Sequence, residues 1–398
     1  MIKKASSFKR TMSLIVCTSM MCVSSLAQSH YSSAKLALKE YKISSRVLNE
    51  ERTITIYKPP VHPEYKDVVS PVIYVLDSEF YADFISTMIS FVSERFVTMP
   101  PITVVGIQNF GEGAIGRNRD LTPLIAKDSS IFKTSGGAEK FLQYIREEVF
   151  PFVEKDHKKT PYRVLIGHSL GGLLTMHTFL KHPEMFNAYL ASDPSLWINN
   201  NEYMEIVKTT IDKTDERNKK LFFSTGNSRS IGPNAKKVDS LLQVKKIKKL
   251  SHQFTNYPNE IHTTVFMKSY YDGLHFIFQM DPFDANLKLA DITWSLLENH
   301  YNKLSEIYGG PMKPEESLVN TWGYRFLNQE KNVNKALEFF KKNIENYPAS
   351  ANVYDSYAEA LLVKGDKKNA MINYEKAFQM DPTNTAARDI AIKLKSEQ

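Results

Sequence analysis

The chain has 398 residues, of which 42% are hydrophobic and 12% are aromatic. This length and composition predict a globular protein with a large core and more than one domain, and they exclude disorder over most of the chain. The formal net charge is +7, but residues 1–27 carry four of the 51 basic residues and no acidic ones. The other 47 basic and 44 acidic residues give +3, so no nucleic-acid partner is expected.

Residues 1–27 have the pattern of a secretory signal peptide. Four basic residues precede the apolar stretch 12–26, and Ser25 and Ala27 place small residues before a cleavage point. Cleavage after Ala27 predicts an exported protein that is periplasmic or secreted. The alternative is a membrane anchor, but about 15 residues rich in Ser and Thr are short for a bilayer span. No stable membrane insertion is therefore expected after cleavage.

Both cysteines, Cys17 and Cys22, lie within this leader. A lipid anchor on Cys17 is an alternative, although Val16 is larger than the residue that usually precedes a lipidated cysteine. The chain after cleavage has no thiol, which excludes a disulfide, a thiolate metal site and a cysteine nucleophile.

Residues 28–308 predict an α/β domain. Short apolar runs alternate with helical segments, of which 138–153 and 172–181 have the clearest helical spacing. This alternation is typical of a mainly parallel sheet flanked by helices. Residues 52–57 alternate with period two and precede two prolines, which indicates an antiparallel edge strand. The predicted parallel strands are residues 72–76, 102–107, 164–166, 188–191 and 221–225.

A Gly-x-Ser-x-Gly motif, Gly167-His-Ser169-Leu-Gly171, follows the apolar run 164–166. Such a motif between a strand and a helix is typical of the sharp turn that presents a nucleophilic serine in α/β-hydrolases. Ser169 is therefore the predicted nucleophile, and the N–H of Leu170 a predicted oxyanion donor. His168 is expected to line the site or to form hydrogen bonds. The alternative is a glycine-rich turn with a bystander serine.

A serine nucleophile needs a general base downstream in this type of fold. His252 lies within the strand-like run 251–256, and His275 lies within the helical stretch 265–278. His262 falls between these two elements, in a strand-to-helix loop. His262 is therefore the predicted base.

Several motifs resemble, in the same order, the esterase family of α/β-hydrolases that includes siderophore (enterobactin and salmochelin) esterases, feruloyl-type esterases and esterase D-like enzymes. The resemblance covers roughly residues 45–283 and implies the α/β-hydrolase fold, with Ser169 as nucleophile and His262 as base. The motifs are Tyr57-Lys-Pro-Pro60, Val72-Ile-Tyr-Val-Leu-Asp77, Arg119-Asp-Leu-Thr-Pro123, Ile166-Gly-His-Ser-Leu-Gly-Gly172, Ser192-Asp-Pro-Ser-Leu-Trp197 and Tyr271-Asp-Gly-Leu274 after His262.

The acid that would orient His262 is an open question at this stage. Related enzymes often carry Gly-x-Glu after the strand 221–225, whereas residues 226–230 contain no carboxylate. Asp193 could serve from the end of the neighbouring strand, or it could cap the turn that follows it. Glu260 is an alternative acid, and a Ser-His dyad without an acid is another.

The second oxyanion donor is expected where the family often shows Asp-Gly. The sequence there is Asp77-Ser78-Glu79, so the N–H of Ser78, or that of Glu79, is the candidate, provided that the backbone φ is negative. Arg119 could bind an acidic substrate group or brace a loop together with Asp120. Trp197 and Tyr203 could stack on an aromatic substrate group, or Trp197 could only fill the core.

No metal is expected, because the histidines lack i, i+4 pairing with acids, and no cofactor is needed for the predicted chemistry. The expected function is an exported serine esterase acting on a small-molecule ester, such as a siderophore lactone, a feruloyl or acetyl sugar, or a short-chain ester. An acyltransferase or thioesterase that uses the same serine is one alternative. A catalytically silent hydrolase-like scaffold that presents repeats to a protein partner is another.

Residues 309–398 predict a small all-α module with a 34-residue period. Ala336 and Ala370, Phe340 and Tyr374, and Pro348 and Pro382 occupy equivalent positions, which is typical of tetratricopeptide repeats. Two repeats are few for independent stability, so we expect this module to pack on the preceding domain, to form homo-oligomers or to bind a protein partner.

Overall fold

The computed structural model describes residues 38–58, 70–92, 102–111, 114–128, 132, 134–155, 162–211, 218–278, 287–308 and 311–397. The predicted signal peptide, its cleavage point after Ala27 and the lipid-anchor alternative at Cys17 lie outside these residues. Among the described helices, none combines the length and the apolar character that crossing a bilayer requires.

Eight strands within the described residues form one mixed sheet in the order β1-β2-β4-β3-β5-β6-β7-β8. Only β2 runs against its neighbours, β1 and β4, and the other pairs are parallel. The predicted parallel strands are all present. The strands are β1 (Lys39–Ser45), β2 (Glu50–Tyr57), β3 (Val72–Leu76), β4 (Thr103–Ile107), β5 (Arg163–His168), β6 (Ala188–Ser192), β7 (Lys219–Thr225) and β8 (Leu250–Asn256).

The predicted edge strand lies one position further inside the sheet than expected. Residues 52–57 belong to β2, whose outer side is covered by β1 through seven paired residues. The sequence prediction for the edge was therefore wrong, because β1 carries mostly exposed and polar residues and gives a weak apolar signal. β1 is the outer strand on that side of the sheet.

Helices cover both faces of the sheet, and all five residues of β3, β4 and β6 are buried between them. Continuous apolar strands of this kind are expected where a parallel sheet is covered on both sides. The helices are α1 (Ser78–Ser90), α2 (Ala114–Leu121), α3 (Ala138–Tyr144), α4 (Phe150–Lys155), α5 (Leu170–Lys181), α6 (Ile198–Thr210), α7 (Gly232–Lys245) and α8 (Val265–Phe278).

The predicted helix over residues 138–153 contains a π-helical turn at Ile145–Val149, which separates α3 from α4. Pro151 follows immediately and has no backbone N–H to donate to the preceding turn. A local widening of the helix is a common response to such a missing bond. In the sequence, the proline within the predicted helix was the feature that could have indicated the π-helical turn.

The remaining helices build a separate apolar core, which fits a small all-α module. Helices α11 and α13 begin 34 residues apart, and so do α12 and α14. The paired alanines Ala336 and Ala370 are both fully buried. Two statements about this module remain predictions: that it consists of tetratricopeptide repeats, and that it starts at residue 309. Helix α9 (Trp294–Tyr308) precedes residue 309 and contributes Trp294 and Leu297 to this core. The helices after residue 309 are α10 (Glu316–Asn328), α11 (Val333–Asn346), α12 (Ala351–Lys364), α13 (Lys367–Met380) and α14 (Thr385–Ser396).

Candidate active site

Ser169 occupies a sharp turn between β5 and α5, with φ 60° and ψ −116°. This backbone conformation is costly for a non-glycine residue and persists only where the surroundings enforce it. A side chain at Gly167 would lie 2.2 Å from the carbonyl oxygen of Gly171, and one at Gly172 would lie 2.9 Å from that of Ser192. Gly167 and Gly172 are therefore required by close packing around the strained serine.

His262 lies in the loop between β8 and α8, where the sequence places it. Its Nε2 is 3.1 Å from Ser169 Oγ, and its Nδ1 is 2.6 Å from Asp193 Oδ2. An ionised carboxylate can only accept, so Nδ1 carries the proton and donates it to Asp193. Nε2 is then free to accept the proton of the serine hydroxyl.

Asp193 follows β6 and is fully buried, with a left-handed φ of 42°. Its other oxygen, Oδ1, accepts bonds from Thr225 Oγ1 at 2.8 Å and from Gly226 N at 3.2 Å. Burial alone would raise the pKa of Asp193, but the bonds from His262, Thr225 and Gly226 outweigh it and lower that pKa. The carboxylate therefore stays charged against the Nδ1–H of His262.

Glu260, the alternative acid, has other partners than His262 among the described hydrogen bonds. Its carboxylate lies 2.7 Å from Lys268 Nζ and accepts a bond from Thr264 Oγ1 at 2.9 Å. The geometry therefore favours Asp193 over Glu260 as the acid, because Asp193 is the carboxylate that lies 2.6 Å from His262 Nδ1.

Leu170 and Ser78, the candidate oxyanion donors, are the first residues of α5 and α1. N–H groups in the first turn of a helix have no acceptor within that helix. The preceding strands β5 and β3 are neighbours, and a side chain added at Gly171 would contact Asp77 and Leu76. Asp77 has a positive φ of 53°, whereas Ser78 is not among the residues with a positive φ. Ser78 therefore meets the requirement of a negative φ for a donor at that position.

A model of the family described as "Putative esterase" matches residues 45–285, which is more than half of the chain. The chain belongs to this esterase family. It is 31% identical over 171 residues to the ferri-bacillibactin esterase BesA of Bacillus subtilis. That match covers 39% of this chain and 58% of BesA, so the chain spans less than two thirds of this relative's length.

Two solved structures are similar over most of the chain. An IroE-like serine hydrolase from Shewanella oneidensis gives a TM-score of 0.63 at 25% identity, covering 78% of this chain and 99% of that one. An uncharacterised protein from Capnocytophaga ochracea gives a TM-score of 0.63 at 17% identity, covering 90% and 100%. Together with the strand order, these likenesses confirm the predicted α/β-hydrolase fold.

In this member of the esterase family, a buried ion pair supports the loop that carries Ser78. Asp77 accepts two bonds from Arg117, from Nε at 2.7 Å and from Nη2 at 2.8 Å. Asn109 Nδ2 donates to the same carboxylate at 2.6 Å. Arg117 could not be recognised from sequence, because nothing local distinguishes it from Arg119 two residues later.

Arg119 forms the contacts that its bracing alternative predicts. Its guanidinium donates to both carboxylate oxygens of Glu50 and to Asp120. The charge is thereby neutralised within the protein, so the substrate-binding alternative for Arg119 lacks support. Tyr203 is fully buried and cannot stack on a substrate, whereas Trp197 is half-buried and packs on the core beside Phe132.

His168 holds the loop of His262 from the buried side. Its Nε2 lies 2.8 Å from the backbone oxygen of His262, and its Nδ1 lies 2.9 Å from the hydroxyl of Tyr81. A carbonyl oxygen only accepts, so Nε2 carries the proton and Nδ1 accepts from Tyr81. Burial and the neighbouring His262 lower the pKa of His168 to about 4. His168 is therefore a neutral bridge between α1 and the base.

We expect this neutral histidine to make the protein sensitive to mild acid. In the unfolded chain the pKa of His168 returns to about 6.5, so the unfolded state takes up a proton first as the pH falls. The free energy of unfolding should drop by about 2 kcal/mol between about pH 7.5 and pH 5 from this group alone.

His168→Gln preserves an N–H donor and removes the titration, so its urea unfolding midpoint should fall less over the same pH interval. His252→Gln is the matched control, because His252 lies in β8 beside Asp239. Equal acid sensitivity in the wild type and His168→Gln would contradict this role.

Two groups of residues in the described part of the chain bring three metal-capable side chains together. One consists of His168, Asp193 and His262, whose contacts are those given above. The other consists of Glu139, His177 and His182 and lies elsewhere. No metal ligands were expected from i, i+4 pairs, since His177 and His182 are five residues apart and Glu139 lies on another helix.

Proposed function

We propose that the protein is a serine carboxylic-ester hydrolase. Ser169 Oγ attacks the ester carbonyl carbon while its proton passes to His262 Nε2. The N–H groups of Leu170 and Ser78 bind the resulting oxyanion. His262 then donates the proton to the leaving alcohol, and water hydrolyses the acyl-enzyme by the same steps, with His262 again as base.

The unbroken chain of contacts from Asp193 to Ser169 is the observation that carries this proposal. The two distances, 2.6 Å and 3.1 Å, lie in the range that nucleophile, base and orienting acid require. Residues kept in a strained and buried arrangement of this kind argue against a catalytically silent scaffold. An acyltransferase or thioesterase would use the same serine and differ only in the acceptor or the leaving group.

The proposed substrate class is a siderophore-type lactone. The support is the similarity to BesA, described as a ferri-bacillibactin esterase, over part of the chain. Two exposed apolar side chains are close in sequence to residues of the site. Phe80 is 67% exposed and lies two residues after Ser78, and Ile261 is 53% exposed and precedes His262. Half-buried Trp197 is an aromatic residue four positions after Asp193. These groups suit the aryl parts of such a lactone. The predicted leader adds the proposal of an exported, periplasmic or secreted enzyme.

A substrate panel tests this function on the chain from Gln28 onward. We expect hydrolysis of p-nitrophenyl acetate and butyrate, and a higher kcat/KM for a catecholate trilactone than for a feruloyl ester. Addition of alcohol or thiol acceptors separates hydrolysis from acyl transfer. Lack of any turnover above that of Ser169→Ala would overturn the esterase proposal, whereas a flat profile across esters would overturn only the substrate class.

A further inference from the structure

A second cluster of titratable side chains lies at the far end of the helix that begins next to Ser169. Helix α5 has 12 residues and is therefore about 18 Å long. His177 lies in its last two turns, and His182 is the residue that ends it. Glu139, in the first turn of α3, lies between the two rings. This cluster is separate from the catalytic residues and is not used by the proposed mechanism.

The three side chains converge on one point. His177 Nε2 is 2.7 Å from Glu139 Oε1, and His182 Nε2 is 2.7 Å from Glu139 Oε2. One ligand atom from each residue can be chosen so that all lie within 4.8 Å of one another. Ligand atoms of a tetrahedral zinc ion lie roughly 3.3 Å apart, given Zn–N bonds of about 2.0–2.1 Å. Movements of about an ångström would therefore bring all three onto one ion.

We propose that Glu139, His177 and His182 form a Zn²⁺ site, with water as the fourth ligand. Two imidazole nitrogens and one carboxylate are a donor set that suits zinc and similar borderline metals. Magnesium and calcium prefer all-oxygen sites.

The surroundings of the two histidines support metal ligation. His177 Nδ1 lies 3.1 Å from the hydroxyl of the fully buried Tyr203, a contact that fixes the ring and leaves Nε2 to face Glu139. Metal-bound histidines usually donate the second ring N–H to an acceptor, and the Tyr203 hydroxyl can accept it from His177. His182 Nδ1 lies 3.9 Å from a carboxylate oxygen of Glu184, which is beyond hydrogen-bond distance.

Charge and access at this position also favour a cation. The carboxyl end of α5 carries the negative end of the helix dipole. The side chains of Glu139 and His182 are 60% and 25% exposed, so an ion and its water can reach them.

The expected consequence is structural. A bound ion would tie α3 to the end of α5, and thereby stabilise the scaffold of the nucleophile without taking part in the chemistry. Binding of an ion to the folded state alone raises the unfolding temperature with ion concentration.

The test titrates ZnCl₂ into the chelator-treated chain from Gln28 onward and follows binding by calorimetry. We expect one zinc ion per chain, a higher unfolding temperature with zinc, and no comparable effect of MgCl₂. Glu139→Gln and His182→Asn should each weaken zinc binding at least tenfold. His252→Asn, which changes a histidine beside Asp239 in β8, is the matched control and should bind zinc like the wild type.

Cobalt substitution provides an independent readout, since a visible absorption band of tetrahedral Co²⁺ should disappear in Glu139→Gln. Basal esterase turnover should be unchanged in Glu139→Gln. Loss of metal binding in this variant can therefore be told apart from a failure of the proposed esterase function. If His182→Asn does not fold, Glu139→Gln alone decides. Zinc binding that is absent, that persists in Glu139→Gln, or that is lost in His262→Asn instead would overturn the site.

Discussion

Ser169→Ala is expected to lower kcat for ester hydrolysis by about 10⁶, the loss typical of removing a serine nucleophile that acts together with its histidine. The hydroxyl lies 3.1 Å from His262 Nε2 in the strained turn, where the imidazole can accept its proton as it attacks. Initial rates with p-nitrophenyl butyrate measure the effect, and the circular dichroism spectrum should remain unchanged.

Ser195→Ala is the matched control for this substitution. Ser195 Oγ lies 3.3 Å from Ser169 Oγ, so it is the same chemical group at almost the same place. Among the described residues, no hydrogen bond joins the Ser195 side chain to His262. Removing the Ser195 hydroxyl should therefore lower kcat by less than about tenfold, as expected for the loss of one weak neutral hydrogen bond. Comparable losses in the two variants would contradict the assignment of Ser169.

Asp193→Asn is expected to lower kcat by about 10⁴, because an amide that donates toward His262 Nδ1 favours the wrong tautomer of the imidazole. The amide oxygen can still accept the bonds from Thr225 and Gly226, which holds the NH2 group toward His262. The KM for the ester should change much less than kcat, since Asp193 does not contact substrate in this account.

Glu260→Gln provides the comparison that separates a triad from a dyad. Its carboxylate is held by Lys268 and Thr264, so kcat should stay within about threefold of the wild type, as expected for an exposed ion pair. A dyad would instead show near wild-type kcat in Asp193→Asn. A large loss confined to Glu260→Gln would contradict the assignment of Asp193.

The nucleophile and the base could be predicted because their signals are local. Ser169 lies in a motif whose glycines are needed for close packing, and His262 falls in a loop between a strand and a helix. Both signals depend on a few neighbouring residues and on element order. The parallel strands were predictable for the same reason, since buried strands read as continuous apolar runs.

The acid could not be chosen from sequence, because Asp193 is as well suited to capping a turn as to orienting a base. The tertiary contacts of Asp193 distinguish the two roles. Thr225, the last residue of the neighbouring strand β7, and Gly226, which follows it, both donate to Asp193 Oδ1. Related enzymes often carry a glutamate after β7. Here the backbone N–H of Gly226 at that end of β7 donates instead to Asp193, which follows the neighbouring strand β6.

Pairs of charged residues distant in sequence were also beyond prediction. Arg117 binds Asp77, 40 residues away, while Arg119 binds Glu50, 69 residues away. The two arginines have the same local sequence character, so only the packing of α2 against the sheet assigns their partners. Glu139, His177 and His182 are likewise brought together by the contact of α3 with α5.

Covalent labelling of Ser169 is the most direct test of the central claim, that this hydroxyl is an activated nucleophile. The chain from Gln28 onward would be treated with a fluorophosphonate, and its intact mass and digested peptides would be measured. We predict one adduct per chain on the peptide containing Ser169, with labelling slowed strongly in His262→Ala and in Asp193→Asn. An unlabelled chain, or an adduct on another residue, would contradict the account.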